Sequence, residues 1–203
     1  AVLQQKYNVL YTQGNFNNDI GVPKTLLRLR PEHEIAVVEM GASHPGDIKA
    51  LVDVVEPDYA IITNVGRAHL QGFGSFEGVI HTKGELYDFM RANHGLGNTD
   101  NGKTLREGKA PLSCVFIDSE NPYLNGIAQG LNLVRYGCKA DDQLWVSGHV
   151  DSCSPMLNFT WRHNDGATLG APHATQTHLI GEYNITNMLA AVSIGLYFGV
   201  PAD

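Results

Sequence analysis

Residues 35–65 read IAVVEMGASHPGDIKALVDVVEPDYAIITNV. Two apolar runs, IAVVEM at 35–40 and YAIITN at 59–64, bracket a stretch with helical character near 45–55. Neither run alternates apolar with polar residues. A strand that is apolar on both faces must be covered on both faces, the condition of a parallel sheet clothed by helices. Strand, helix and strand in that order predict a βαβ unit with a right-handed crossover.

The same alternation extends outward on both sides. Candidate strands lie at Tyr7–Thr12, Ile35–Met40, Tyr59–Val65, Ser113–Asp118 and Leu131–Tyr136. Helical patterns fall near 19–30, 45–55, 75–92 and 121–129. From Asp141 to Ile180 the character changes: Trp145, Phe159, Trp161, several Thr and His, and the turn signal Asn164-Asp165-Gly166 predict a small antiparallel meander. A last helix is expected from about Asn184 to Phe198, stopped by Gly199 and Pro201. The fold class is therefore α/β, a mostly parallel sheet flanked by helices with an antiparallel meander appended. His94–Pro111, rich in Gly, Asn and Lys, is expected to be a mobile surface loop.

Composition narrows the function. The 203 residues are 43% hydrophobic and 17% charged, with a net charge of −7. That excludes disordered, collagen-like and coiled-coil classes. No apolar run approaches the roughly 20 residues of a membrane helix, and the first residues do not resemble a secretory signal. An acidic chain without a basic cluster argues against nucleic acid as a partner. Cys114, Cys138 and Cys153, an odd number without CxxC spacing, are expected to be buried, reduced thiols of a cytoplasmic protein.

In an open parallel sheet ligands bind beyond the carboxyl ends of the strands. Three successive predicted strands end in polar groups: VLYT runs into QGNFNND, IAVVEM carries Glu39, and YAIITN leads through Asn64 to His69. If these ends converge, a carboxylate, an imidazole and several amides could hold a cation and a polyanionic ligand. Each residue alone also fits a plainer role. Glu39 fits a surface or capping acid, His69 a hydrogen-bonded loop histidine, and Asn15, Asn17 and Asn18 fit turns and a helix cap.

Lys83 falls on the same helical stripe as Phe76, Val79, Ile80, Tyr87 and Met90. It is either a lysine that buries its stem and keeps its ammonium wet or an inward amine whose charge or reactivity is used. Asn184 and Asn187, three apart, share a helix face; an Asn amide matches the donor–acceptor pair of adenine, while capping by Asn184 fits equally. Residues 97–104, GNTDNGKT, match the phosphate-loop pattern literally. No strand precedes them and no good helix follows, so the context predicts a coincidental match.

Taken together, TQGNFNNDIGVPKTLL, EMGASHPGDI, ITNVGRAHLQGFGS with Lys83 downstream, and LIGEYNITNMLAA resemble the ATP-dependent Mur ligases of peptidoglycan synthesis. The GNxNNxIG and EMGA forms look most like the branch that adds D-alanyl-D-alanine. The resemblance runs from about Tyr7 to the end of the chain and is weakest at 93–112 and 140–175. It implies the central, P-loop-type domain of a cytoplasmic, monomeric amide ligase. ATP would phosphorylate the carboxylate of UDP-N-acetylmuramoyl-tripeptide, and D-alanyl-D-alanine would attack the acyl phosphate. By matching position, Glu39, His69 and Lys83 would be magnesium ligands, with Lys83 carbamylated and Lys83 and His69 catalytic. Thr12, Asn15, Asn17 and Asn18 would face the UDP-sugar substrate, and Asn184 and Asn187 the adenine.

Members of the family carry their phosphate loop just upstream of the strand that here begins near Tyr7. The expectation is that residues 1–203 form a central domain cut after that loop, without the UDP-substrate domain and the C-terminal domain, and inactive alone. Two alternatives stand beside it: a related amide ligase, tripeptide-forming or folylpolyglutamate synthase-like, and a non-catalytic nucleotide-sugar-binding domain. The latter would have no use for an inward Lys83 beside Glu39 and His69.

Overall fold

The computed structural model describes residues 1–66, 70–96, 112–139, 144–164 and 169–202. Strands β1 (Val9–Tyr11) and β2 (Ile35–Val37) pair in parallel as one small sheet. The second sheet has the order β3 (Tyr59–Ile61), β4 (Cys114–Asp118), β5 (Leu133–Gly137), β6 (Val146–Cys153), β7 (Met156–His163) and β8 (His173–Ile180). Pairing is parallel from β3 to β6 and antiparallel from β6 to β8. The α/β class and the meander agree with the sequence.

The division into two sheets was not foreseen. All five expected parallel strands do form, but among the described residues β1 and β2 pair only with each other, and β3 begins a separate ladder. The first three strands are also shorter than their apolar runs. After the bond from Thr12 N to Val37 O, 3.1 Å, the chain leaves the ladder for the polar loops. Apolar sequence continues past β2 and β3 because it lines a cavity there.

Strand β4 shows why a continuous apolar run is needed. Side chains alternate across a strand. Val115 and Ile117 enter one core with Val52, Val79, Tyr87 and Met90, whereas Cys114 and Phe116 enter a second core with Leu157, Phe159 and Leu189. The first core lies under helices α2 (Asp47–Val55) and α4 (Phe76–His94), the second under α6 (Ile185–Tyr197). The remaining helices are short: α1 (Gly21–Leu26), α3 (Leu70–Phe73) and α5 (Pro122–Gly126).

Helix α4 starts where its cap dictates. The Ser75 Oγ accepts from Gly78 N at 3.0 Å. Its stripe is buried as expected, with Val79, Tyr87 and Met90 sealed and Phe76 and Ile80 packed at the margin. Strand β6 overlaps β5 through only two pairs, Tyr136 with Val146 and Gly137 with Ser147. It then runs on to Cys153, so the meander projects beyond the carboxyl end of β5.

Cys114 is the buried small hydrophobe expected, and burial pushes its thiol up to about 12. Cys138 and Cys153 are half-buried instead, the first just past the end of β5 and the second at the end of β6. Asp165 and Gly166 of the expected turn, and most of the His94–Pro111 stretch including 97–104, lie outside the described residues. No helix among the described residues is long and apolar enough to cross a membrane.

Candidate active site

A cavity of about 1090 Å³ lies at the junction of the two sheets. Val9 and Val37 line it from the small sheet, Ile61 and Ile62 from β3 and its continuation, Val79 and Leu86 from α4, and Ala190 and Ile194 from α6. Its polar lining consists of strand-end and helix groups. Thr12, Glu39, Asn64, Lys83 and Asn187 all face it. The carboxyl ends of β1, β2 and β3 therefore do converge, as a parallel arrangement requires.

Glu39 is fixed by two of the neighbours predicted to work with it. Its backbone N–H donates to Thr12 Oγ1 at 2.9 Å. Its carboxylate Oε1 accepts from Asn17 Nδ2 at 2.8 Å. The Asn17 backbone carbonyl accepts from Gly41 N at 2.7 Å, so one asparagine grips both sides of Met40. Gly41 must be glycine for this grip: a Cβ there would sit 2.9 Å from Asn17 Cγ.

Lys83 reaches inward from α4. Its Nζ donates to the Asn64 carbonyl at 2.6 Å. That acceptor is neutral, and burial pushes the ammonium pKa below its ordinary value. The snorkelling alternative keeps the charge in water; here the amine turns toward the cavity and partly leaves water.

The remaining predicted residues divide. Asn18 takes the plainer role: its Oδ1 accepts from Gly21 N at 2.8 Å and Ile20 N at 3.3 Å, holding the start of α1. Asn15 is exposed, and its carbonyl accepts from Asn17 N at 2.8 Å. Asn187 lines the cavity and lies beside Asn184, whose Oδ1 accepts from Asn187 Nδ2 at 3.4 Å. Asn184 makes no side-chain cap on α6; its amide donates back to Ile180 O at 3.0 Å. His69 lies outside the described residues.

Among the described residues no three His, Cys, Asp or Glu side chains gather as a metal-binding group. The oxygen donors facing the cavity, the Glu39 carboxylate and the Asn64 carbonyl, are nevertheless of the hard type that magnesium takes. Sequence reasoning missed two acids that shape the loop after Glu39. Asp47 Oδ2 accepts from Ser43 N and His44 N, each at 2.8 Å. Glu85 accepts from Gly46 N at 2.8 Å and Lys49 N at 2.7 Å. An acid in the first turn of α2 gave a signal for Asp47; Glu85 gave none.

The cavity thus gathers an acid held by an amide, a partly desolvated lysine and Asn187 of α6. The model of the Mur ligase middle domain matches residues 1–195. The chain belongs to the Mur ligase family. It is 53% identical over 200 residues to the UDP-N-acetylmuramoyl-tripeptide–D-alanyl-D-alanine ligase of Haemophilus influenzae, covering 94% of this chain and 36% of that protein. To the Escherichia coli ligase of the same name it is 34% identical over 206 residues, covering all of this chain and 40% of that one. The crystal structure of MurF from Acinetobacter baumannii superimposes with a TM-score of 0.76 at 28% identity, over 99% of this chain and 39% of that chain. This Mur ligase domain thus spans well under half the length of the relatives it matches.

Proposed function

We propose that this Mur ligase domain is the central domain of an ATP-dependent enzyme that adds D-alanyl-D-alanine to UDP-N-acetylmuramoyl-tripeptide. The names of its relatives support the reaction. The observation that carries the proposal is the meeting of Thr12, Glu39, Lys83 and Asn187 at one cavity. In the reaction the γ-phosphoryl group of ATP passes to a carboxylate oxygen of the tripeptide, releasing ADP. The amine nitrogen of D-alanyl-D-alanine then bonds to the acyl carbon, the bond from that carbon to the phosphate oxygen breaks, and the amine loses its proton.

Little of this needs covalent work by side chains; positioning and charge neutralisation suffice. Magnesium, when bound, offsets charge on the transferring phosphoryl group. Glu39 supplies an anionic oxygen for it, and His69 is a second ligand in the proposal. Lys83 as a cation opposes a divalent ion, but as a carbamate it adds an anion. The step is attack of the neutral amine on carbon dioxide with loss of one proton. Desolvation of Lys83 favours the neutral amine that this requires. Asn184 and Asn187 face adenine, and the Asn15–Asn18 loop faces the UDP-sugar. The whole enzyme, in this proposal, works as a cytoplasmic monomer.

We also propose that the phosphate loop comes from a strand between β2 and β3, preceding Ala1 in the whole enzyme. The cavity that divides the sheets supports this. At about 30 Å³ per water, 1090 Å³ equals the space of some 36 waters. The space is a cleft open to solvent on one side, not a packing void. Helices wall the cavity on both faces and strand residues flank it, which is the room a missing strand takes. Residues 1–4 line the same cavity. Flanking domains carry the UDP-sugar and the incoming amine, so residues 1–203 alone do not turn over ATP.

The test uses the full-length ligase. Glu39→Ala and Lys83→Ala are each expected to remove most ligase activity while leaving the circular-dichroism spectrum and thermal midpoint near those of the wild type. Wild-type turnover in either variant contradicts the assignment. Restoration of Lys83→Ala by a short-chain carboxylic acid would support an anionic role at that position.

A further inference from the structure

We propose that Glu85 is a positioning residue: its carboxylate ties the loop that carries Glu39 to the helix that carries Lys83, so that acid and amine share one frame. The proposal rests on the reading of Glu39 and Lys83 as the working groups of the site.

Helix α2 begins at a place that cannot cap itself. Its N-cap is Gly46, at φ +89°, preceded by Pro45 and without a side-chain cap of its own. The first donors of a helix need partners from elsewhere. Glu85 supplies them from α4, with Oε1 taking Gly46 N at 2.8 Å and Oε2 taking Lys49 N at 2.7 Å. These bonds cross 39 and 36 residues of sequence. Both oxygens of a carboxylate are engaged, the stronger class of hydrogen bond and the geometrically more restrictive one.

The loop between Glu39 and Gly46 has no slack to absorb a displacement. Asn17 holds Gly41 N at 2.7 Å. Asp47 holds Ser43 N and His44 N, both at 2.8 Å. Gly72 of α3 packs so close that a Cβ on it would lie 2.1 Å from Ser43 O. At the other end Glu85 follows Lys83 by two positions, about 3 Å along the helix axis. A shift of α2 relative to α4 therefore reaches Glu39 through a stiff loop and Lys83 through the helix. A plain cap would stabilise α2 equally well from a residue at its own N-terminus; the link to α4 adds registration between two catalytic elements.

The test compares Glu85→Gln, Glu85→Asp and Leu124→Ala in the full-length ligase. Gln keeps one acceptor oxygen and sets an NH₂ against a backbone N–H. Asp is too short to reach both donors. Leu124, sealed in the core and not part of the cavity lining, is a destabilising control. Glu85→Gln is expected to lower kcat about tenfold, equivalent to about 1.4 kcal/mol in the barrier, with KM for ATP within twofold of the wild type. Glu85→Asp is expected to recover part of that loss. Amide exchange of Gly46 and Lys49 accelerates in both variants, whereas Leu124→Ala lowers the thermal midpoint without changing kcat below that midpoint.

If Glu85→Gln keeps kcat within twofold while its midpoint falls, Glu85 is only a cap and the proposal is overturned. If neither kcat nor exchange changes, it is overturned as well. Should Glu85→Gln not fold, Glu85→Asp carries the same criteria. Wild-type turnover in Glu39→Ala would instead sink the underlying site reading, a result visible without any Glu85 variant.

Discussion

Replacing Gly41 by alanine tests the grip on Glu39 without touching a charged group. A Cβ at position 41 would stand 2.9 Å from Asn17 Cγ, 3.0 Å from Nδ2 and 3.1 Å from Oδ1. All three atoms belong to one side-chain amide, so that amide must turn away. The bond it donates to Glu39 Oε1, 2.8 Å, goes with it. A hydrogen bond to a charged group contributes about 1.5–3 kcal/mol. If all of that serves to orient the Glu39 carboxylate, turnover falls by a factor of about 10 to 150.

Glu39 is exposed, so stability should change much less than activity. Measured in the full-length ligase, Gly41→Ala is expected to lower kcat within that range and the thermal midpoint by only a few degrees. Asn17→Ala removes the same bond directly. Because both act through one amide, the double variant should be no worse than the worse single one, since coupled residues are not additive. Wild-type turnover in Gly41→Ala, or two losses that simply multiply in the double variant, would refute the idea that Asn17 acts through Glu39.

Gly72→Ala forces a Cβ against the Ser43 carbonyl, a backbone atom that cannot rotate aside; overpacking of this kind costs about 1–3 kcal/mol, read as a lower urea midpoint. Burial lowers the Lys83 pKa, so the folded chain holds fewer protons there than the unfolded one. The resulting penalty is fully present below the folded value and fades as pH climbs from there toward 10.5. Lys83→Met should therefore gain stability over the wild type at pH 7 and lose that advantage progressively as pH rises; a difference independent of pH would contradict this. Cys114, with its thiol pushed up to about 12 and its side chain buried, should resist iodoacetamide in the native protein while Cys153 reacts. Intact mass before and after adding urea reads the order.

Much of the fold was legible because burial on two faces leaves a mark in sequence. CVFI at 114–117 has no polar residue, and the structure sends its side chains alternately into two cores. The alternation of strand and helix likewise required strand ends that converge, and Thr12, Glu39 and Asn64 do meet. Two features left no such mark. Which strands pair is a tertiary choice: the apolar sequence past β2 and β3 looks the same whether it faces a neighbouring strand or a cavity. Asn18 likewise looked identical to Asn17, yet one holds the start of α1 and the other holds Glu39.

Glu85 is the clearest case of the second kind. An acid that bonds to side chains of fixed type can be sought as a pair, but its partners here are backbone N–H groups, which every residue except proline offers. No choice of residue at 46 or 49 announces them. A helical reading of α4 places Lys83 on the inner stripe and leaves Glu85 off it, at a position where any surface acid would serve. Periodicity thus finds the groups that face the cavity, while carboxylates spent on distant backbone donors set the register between them. The two substitutions separate reach from charge: Glu85→Gln keeps the reach but loses an acceptor and the charge, whereas Glu85→Asp keeps the charge and shortens the reach.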